Sequence, residues 1–95
     1  MSTVVGLLHL KLNIAQADSL KDKRRIVKGF KDRVRHGHNV SIAEVEMLDA
    51  HRWSVLAVAM VGNDRRYLDG ALAQIINLIR GNPVAELIDY ELEIF

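Results

Sequence analysis

The chain has 95 residues, of which 49% are hydrophobic and 26% charged, a balance that fits one packed domain and excludes a disordered or fibrous chain. Cysteine is absent, so disulfides and thiolate metal sites are excluded and a reducing cytoplasm is the expected location. The net charge of +1 points to no polyanion partner by itself, but eight of the 13 Lys and Arg residues fall between Lys21 and Arg35, while Glu86, Asp89, Glu91 and Glu93 crowd the other end.

From Thr3 to Ile14, the residues Leu8, Leu10, Leu12 and Ile14 fall on one face and Val5, Leu7, His9 and Lys11 on the other, which predicts a central strand. Its apolar run Val4 to Leu10 is too short to cross a bilayer and follows no Lys or Arg of the kind a signal peptide carries, so no membrane role is expected. Gly6 marks a bulge or a close backbone approach. Asp18 and Ser19 then offer N-cap oxygens, and Ser19-x-x-Asp22 has the spacing of a capping box. Leu20, Val27, Phe30 and Val34 supply the apolar stripe of a helix about five turns long. Gly29 inside it implies that something approaches closely there, and Gly37 is placed for a left-handed C-cap.

Val40 to Glu46 and Arg52 to Val61 read as strands of a hairpin across Met47 to His51, the second apolar on both faces and therefore central. A second helix starts at Asn63 or Asp64, buries Leu68, Ala71, Leu72, Ile75, Ile76 and Ile79, and stops at Gly81, Asn82 and Pro83. The last strand, Ala85 to Phe95, sets Leu87, Tyr90, Leu92 and Ile94 against Glu86, Asp89, Glu91 and Glu93, with a bulge-like irregularity at Ile88, and suits a charged sheet edge. The order βαββαβ with right-handed crossovers predicts an α+β, ferredoxin-like sandwich. It is a four-stranded antiparallel sheet of order 4-1-3-2 with both helices on one face, a single domain over residues 1–95.

On the first helix, Lys21, Arg24, Arg25, Lys28, Lys31 and Arg35 lie away from the apolar stripe and make a basic surface about 20 Å long at 1.5 Å rise per residue. That pattern suits a nucleic-acid backbone, or else a solvated helix face supported by Asp22 and Asp32. The sheet face opposite the helices offers only His9 and Trp53 as rings, and RWSVLAVA lacks the aromatic signature of RNA-recognition motifs, so backbone contacts and not base stacking are expected. The same face gathers Val5, Leu7, Trp53, Val55, Ala57 and Ala59 around His9, an apolar patch that predicts burial against another copy and hence a homo-oligomer.

His36, His38 and His51, with Glu46 and Asp49 nearby, lack zinc-ligand spacing; neither metal nor cofactor is expected, and His36 reads as a cation at a helix C-terminus. No nucleophile–base pair, phosphate loop or carboxylate pair appears with supporting context, so no residue is assigned a catalytic role and a non-enzyme is expected. Small acylphosphatases share the βαββαβ order and this length, but the segment Asn13 to Asp18 carries neither the glycine nor the arginine of their phosphate loop. A small-ligand regulatory domain stays open as an alternative, with His9, Asn63 and Arg65 around a pocket between protomers, as does a purely structural oligomer.

The start VVGLLHLKL, the helix opening SLKDKRRIVK, the segment NVSIAEVE, the VGND before the second helix and the ending ELIDYELEIF together resemble the YlxP-like family of small bacterial proteins of unknown function. The resemblance covers nearly the whole chain in order. It implies a ferredoxin-like fold and, because genes of that family often neighbour those for translation initiation and ribosome maturation factors, ribosomal RNA or the ribosome as a partner. It implies no activity and no catalytic residues. Since SLKDKRR falls on the basic helix, the resemblance favours the RNA-linked reading of that surface over the solvated one.

Overall fold

The computed structural model describes residues 1–95. Alternating apolar residues form the strands β1 (Val4–Asn13), β2 (Ser41–Glu46), β3 (Trp53–Gly62) and β4 (Glu86–Ile94), and three-and-four spacing forms the helices α1 (Leu20–Gly37) and α2 (Arg65–Arg80). Every strand bound lies within one residue of the bound read from the pattern. The strands pair antiparallel in the order β2-β3-β1-β4, which is the expected ferredoxin-like arrangement with β1 and β3 central.

One face of the sheet makes the core. Leu8, Leu10 and Leu12 of β1 and Leu56 and Val58 of β3 are completely buried beneath Val34 of α1 and Leu72 and Ile75 of α2. Burial of each such leucine contributes about 1.5–3 kcal/mol, and this one-sided ladder is what fixes both helices on the same face. α1 lies over β2, and α2 lies over β1 and β4.

The helix starts follow their caps. Ser19 Oγ accepts from the Asp22 N–H at 3.1 Å, while Asp22 Oδ2 accepts from the Asp18 N–H at 3.2 Å, so the reciprocal bond of the box falls one residue earlier than in the usual pattern. For α2 the cap is Asp64, whose carboxylate accepts from the Arg66 N–H at 3.0 Å.

The end of α1 differs from expectation, whereas α2 stops at Gly81 as read from the sequence. No glycine has a positive φ, so Gly37 is not a left-handed cap; α1 instead leaves through extended His38 (φ −146°, ψ 143°), and the chain turns back into β2 over residues 38–40 without a left-handed residue. Gly81 ends α2 in a right-handed conformation, its N–H bonded to Asn77 O at 2.9 Å.

Of the two glycines expected to mark close approaches, only Gly6 does so. A Cβ there would stand 2.5 Å from Leu72 Cδ1 and 3.6 Å from Leu68 Cδ2, so the glycine lets α2 settle onto β1, and the β1–β3 ladder runs through it without a bulge. At Gly29 nothing lies within 4 Å of a built Cβ, which corrects the expectation of a close neighbour. The irregularity at Ile88 is a register shift between β1 and β4, and a second shift, at Val45, interrupts the pairing of β2 with β3.

Candidate functional site

Four side chains of α1 face inward at four-and-three spacing: Lys23, Val27, Phe30 and Val34. The lysine among them was not anticipated. Lys23 is fully buried, with Nζ 2.9 Å from Glu44 Oε2 and donating to Met47 O (2.8 Å), Trp53 O (3.2 Å) and Leu48 O (3.3 Å). Ser54 Oγ donates to the same Glu44 oxygen at 2.7 Å. Lys23 of SLKDKRR and Glu44 of NVSIAEVE are thus joined inside the protein, where they hold the first turns of α1 to the β2–β3 hairpin. The periodicity contained the signal, since Lys23 precedes Val27 by one turn and Glu44 follows the inward Ile42 by two residues.

The six cations assigned to a binding surface remain outside the core. Lys21, Arg24, Lys28, Lys31 and Arg35 are spaced alternately three and four apart, so they form a single line along α1, while Arg25 stands beside it. Arg35 Nη2 donates to Ile42 O at 3.1 Å, which places this line on the flank of α1 that borders the outer edge of β2. Lys28 Nζ lies 2.7 Å from Asp32 Oδ2, and Arg25 Nη2 lies 3.8 Å from Asp22 Oδ1. Lys21, Arg24 and Lys31 enter no salt bridge within the chain. The hydrogen bond from Lys28, reinforced by the charges of Lys28, Arg35 and Lys31, holds the Asp32 carboxyl below the ordinary carboxylate range.

The open sheet face also gathers as expected. Pairing sets Val5 beside Val61, Leu7 beside Ala59, His9 beside Ala57, Lys11 beside Val55 and Asn13 beside Trp53. Val61 is 59% exposed and Val5 37%, whereas Leu7, His9, Trp53 and Ala57 are half-buried and Val55 is buried. Lys11 Nζ sits 5.4 Å from the centre of the Trp53 ring, a cation–π contact that occupies one face of the only tryptophan. On the β4 side, Glu93, Glu91 and Asp89 stand beside Leu7, His9 and Lys11 in turn.

The polar trio of the ligand-binding alternative is not brought together. His9 lies in the middle of β1 at an open depression of about 250 Å³, lined also by Lys11, Glu46, Val55, Asp89, Tyr90 and Glu91. Arg65 is at the far end of the sheet, donating to Ile94 O at 3.1 Å, with Asn63 beside it in the loop before α2. His36, His38 and His51 are also separate. His36 is in the last turn of α1, His38 Nε2 is 3.4 Å from Gln74 Oε1, and His51 is in the β2–β3 loop. The structure brings no three His, Asp or Glu side chains into a group that could hold a metal ion. No helix is long and apolar enough to cross a membrane.

Sheet order and helix placement define a small α+β protein of the ferredoxin-like fold, with a basic helix flank and an uncovered sheet face as its two distinctive surfaces. The chain belongs to the family described as Protein of unknown function (DUF503), whose model matches residues 5–92. The uncharacterized protein YlxP of Bacillus subtilis (strain 168) is 29% identical over 83 residues, covering 87% of this chain and 90% of that one, in agreement with the resemblance seen in the sequence. Among solved structures, the de novo designed protein Foldit4 is similar over 98% of this chain and 96% of its own, with TM-score 0.56 at 15% identity, a likeness of fold alone. A dimeric ferredoxin-like protein of unknown function from Thermobifida fusca YX is more distant, with TM-score 0.46 at 14% identity over 96% of this chain and 90% of that one.

Proposed function

We propose that this protein is a non-enzymatic, RNA- or ribosome-associated accessory protein that grips the phosphate backbone with the β2-side flank of α1. The observation that carries the reading is the line of five cations at three-and-four spacing, of which Lys21, Arg24 and Lys31 have no anionic partner in the chain. At 1.5 Å per residue the line is about 21 Å long, enough to meet several successive phosphates. Its cations reach a backbone as point charges and forks, without reading bases, so recognition is of charge and shape. Trp53, the ring best suited to stacking, lies on the opposite side of the sheet and already carries Lys11.

The test is fluorescence anisotropy with labelled single-stranded and ribosomal RNA fragments across a salt series. Each phosphate contact to a single strand contributes about −0.7 to the slope of log affinity against log salt. Substitution of Lys21, Arg24 and Lys31 by Gln together should therefore flatten the slope by about 2 and weaken all RNA sequences alike. A parent protein with no salt-dependent binding, or a triple variant that binds as the parent does, overturns the proposal.

A further inference from the structure

Helix α1 breaks with helix propensity at one interior position. Gly29 lies in its middle, exposed and without a positive φ, and nothing stands within 4 Å of where its Cβ would be. Glycine inside a helix is less stable than alanine, because the unfolded chain has more freedom to lose. Where that loss secures neither a packing contact nor a special backbone conformation, the bare backbone is itself the feature, and what it admits comes from outside the chain.

Gly29 lines a groove of about 130 Å³ between α1 and the loop that joins α2 to β4. Arg25 stands one turn before it and Arg33 one turn after, in a row along the helix, and these two are the only charged residues that line the groove. Arg33 enters no salt bridge within the chain, and Arg25 meets only Asp22, at 3.8 Å. From the loop, Asn82 Oδ1 accepts from the Val84 N–H at 2.9 Å, which engages the amide oxygen and leaves the Asn82 NH2 group to donate. The polar side chains of the groove therefore offer donors, two guanidiniums and an amide, beside the apolar Ile26 and Val84.

Donors carrying two positive charges next to an apolar wall recognise an oxyanion attached to an organic body. We propose that this groove binds a phosphate monoester, with the phosphate over Gly29 between Arg25 and Arg33 and the organic body against Ile26 and Val84. The two arginines start about 12 Å apart along the helix, so their guanidiniums converge from opposite ends on a group midway between them. Each planar fork takes two oxygens, and the pair matches the two charges of a monoester, where a carboxylate or a diester brings only one. A Cβ at position 29 would occupy the space in which the phosphate approaches the helix, which accounts for the glycine. The groove is on the flank of α1 that faces the α2–β4 loop, away from the line of cations at the outer edge of β2, and it shares no residue with that line.

The test is an amide NMR titration of the full chain with ribose 5-phosphate, run beside inorganic phosphate. Saturable shifts should gather over Arg25–Arg33 and Asn82–Val84, and ribose 5-phosphate should bind more tightly than inorganic phosphate. Arg33→Gln removes a charge-assisted donor and should weaken binding by about tenfold or more. Gly29→Gln, which sets a good helix former over the floor, should abolish the shifts while the melting temperature stays at or above that of the parent, a combination that a purely structural glycine does not give. An RNA oligomer with a 5′-phosphate, compared with its 5′-hydroxyl form, separates the two sources of a monoester: a preference lost in Gly29→Gln places it on an RNA end, and no preference beside saturation by ribose 5-phosphate places it on a free sugar. Absence of saturable shifts with both monoester probes, shifts centred elsewhere, inorganic phosphate binding as tightly as ribose 5-phosphate, or variants that bind as the parent does overturns the proposal. Neither substitution touches Lys21, Arg24 or Lys31, so this result and that of the backbone-binding test are read separately.

Discussion

An ammonium group taken wholly out of water must find its partners inside the protein, and Lys23 finds one carboxylate and three carbonyls. One of those carbonyls belongs to Met47, the only non-glycine residue with a positive φ (62°), so the lysine also stabilises a left-handed turn conformation that a side chain of this size seldom adopts. Removal of one partner of a buried pair strands the other, and Lys23→Met should lower stability by about 3 kcal/mol in urea unfolding. Lys23→Met combined with Glu44→Leu should lose less than that, because no charge is left buried alone. A single variant as stable as the parent, or a double variant worse than the single, rules out this view of the pair. In sequence, Lys23 is legible as an inward position from its spacing to Val27 and Phe30, yet a lone cation at such a position has no partner in the local pattern, so the pattern assigns it neither to the apolar stripe nor to the basic surface. Its partner Glu44 is brought to it only by the packing of α1 on the hairpin.

The elements themselves owe their placement to two glycines of opposite character. Gly6 is buried, and a Cβ there meets the tip of Leu72 at 2.5 Å, so Gly6→Ala should destabilise by about 1–2 kcal/mol as Leu72 is forced from its rotamer. Gly29 is exposed within α1 with nothing near it, so Gly29→Ala should stabilise by up to about 1 kcal/mol through helix propensity and a less flexible unfolded chain. Thermal or urea unfolding of the two variants should move in opposite directions, and a common sign contradicts the packing described. Strand alternation, the Ser19 and Asp64 caps and the Met47–His51 loop were legible because each is a local signal that tertiary packing does not oppose. The Gly37 cap was misread for the converse reason. Whether a helix ends in a left-handed residue depends on how the chain turns into the next strand, and here that turn is made through extended His38. The bulge at Val45 and the arginine caps on both sheet edges have no local signature at all, since they depend on which carbonyls the sheet order leaves facing outward.

Across the whole molecule, the two charged surfaces occupy opposite edges, because β2 and β4 flank the central pair and α1 lies over β2. The carboxylates of β4 are therefore a sheet width away from the cation line and do not neutralise it. The anion that does restrain the line is Asp32, within the same helix, through its 2.7 Å contact with Lys28. Its carboxyl is held below the ordinary carboxylate range, so the pair is fully formed above that range, is lost only as pH falls through the lowered value, and is intact near neutral pH. Asp32→Asn removes this restraint at any neutral pH: Lys28 becomes free to meet a phosphate and one repelling charge is gone. An exposed pair of this kind is weak, so RNA affinity should rise only a few-fold. The salt slope should steepen by up to about 0.7 as one more contact forms, while the urea midpoint should stay close to that of the parent. An Asp32→Asn protein that keeps its fold and binds RNA no more tightly, with an unchanged salt slope, places Lys28 outside the contact and breaks the line on which the proposed backbone grip depends.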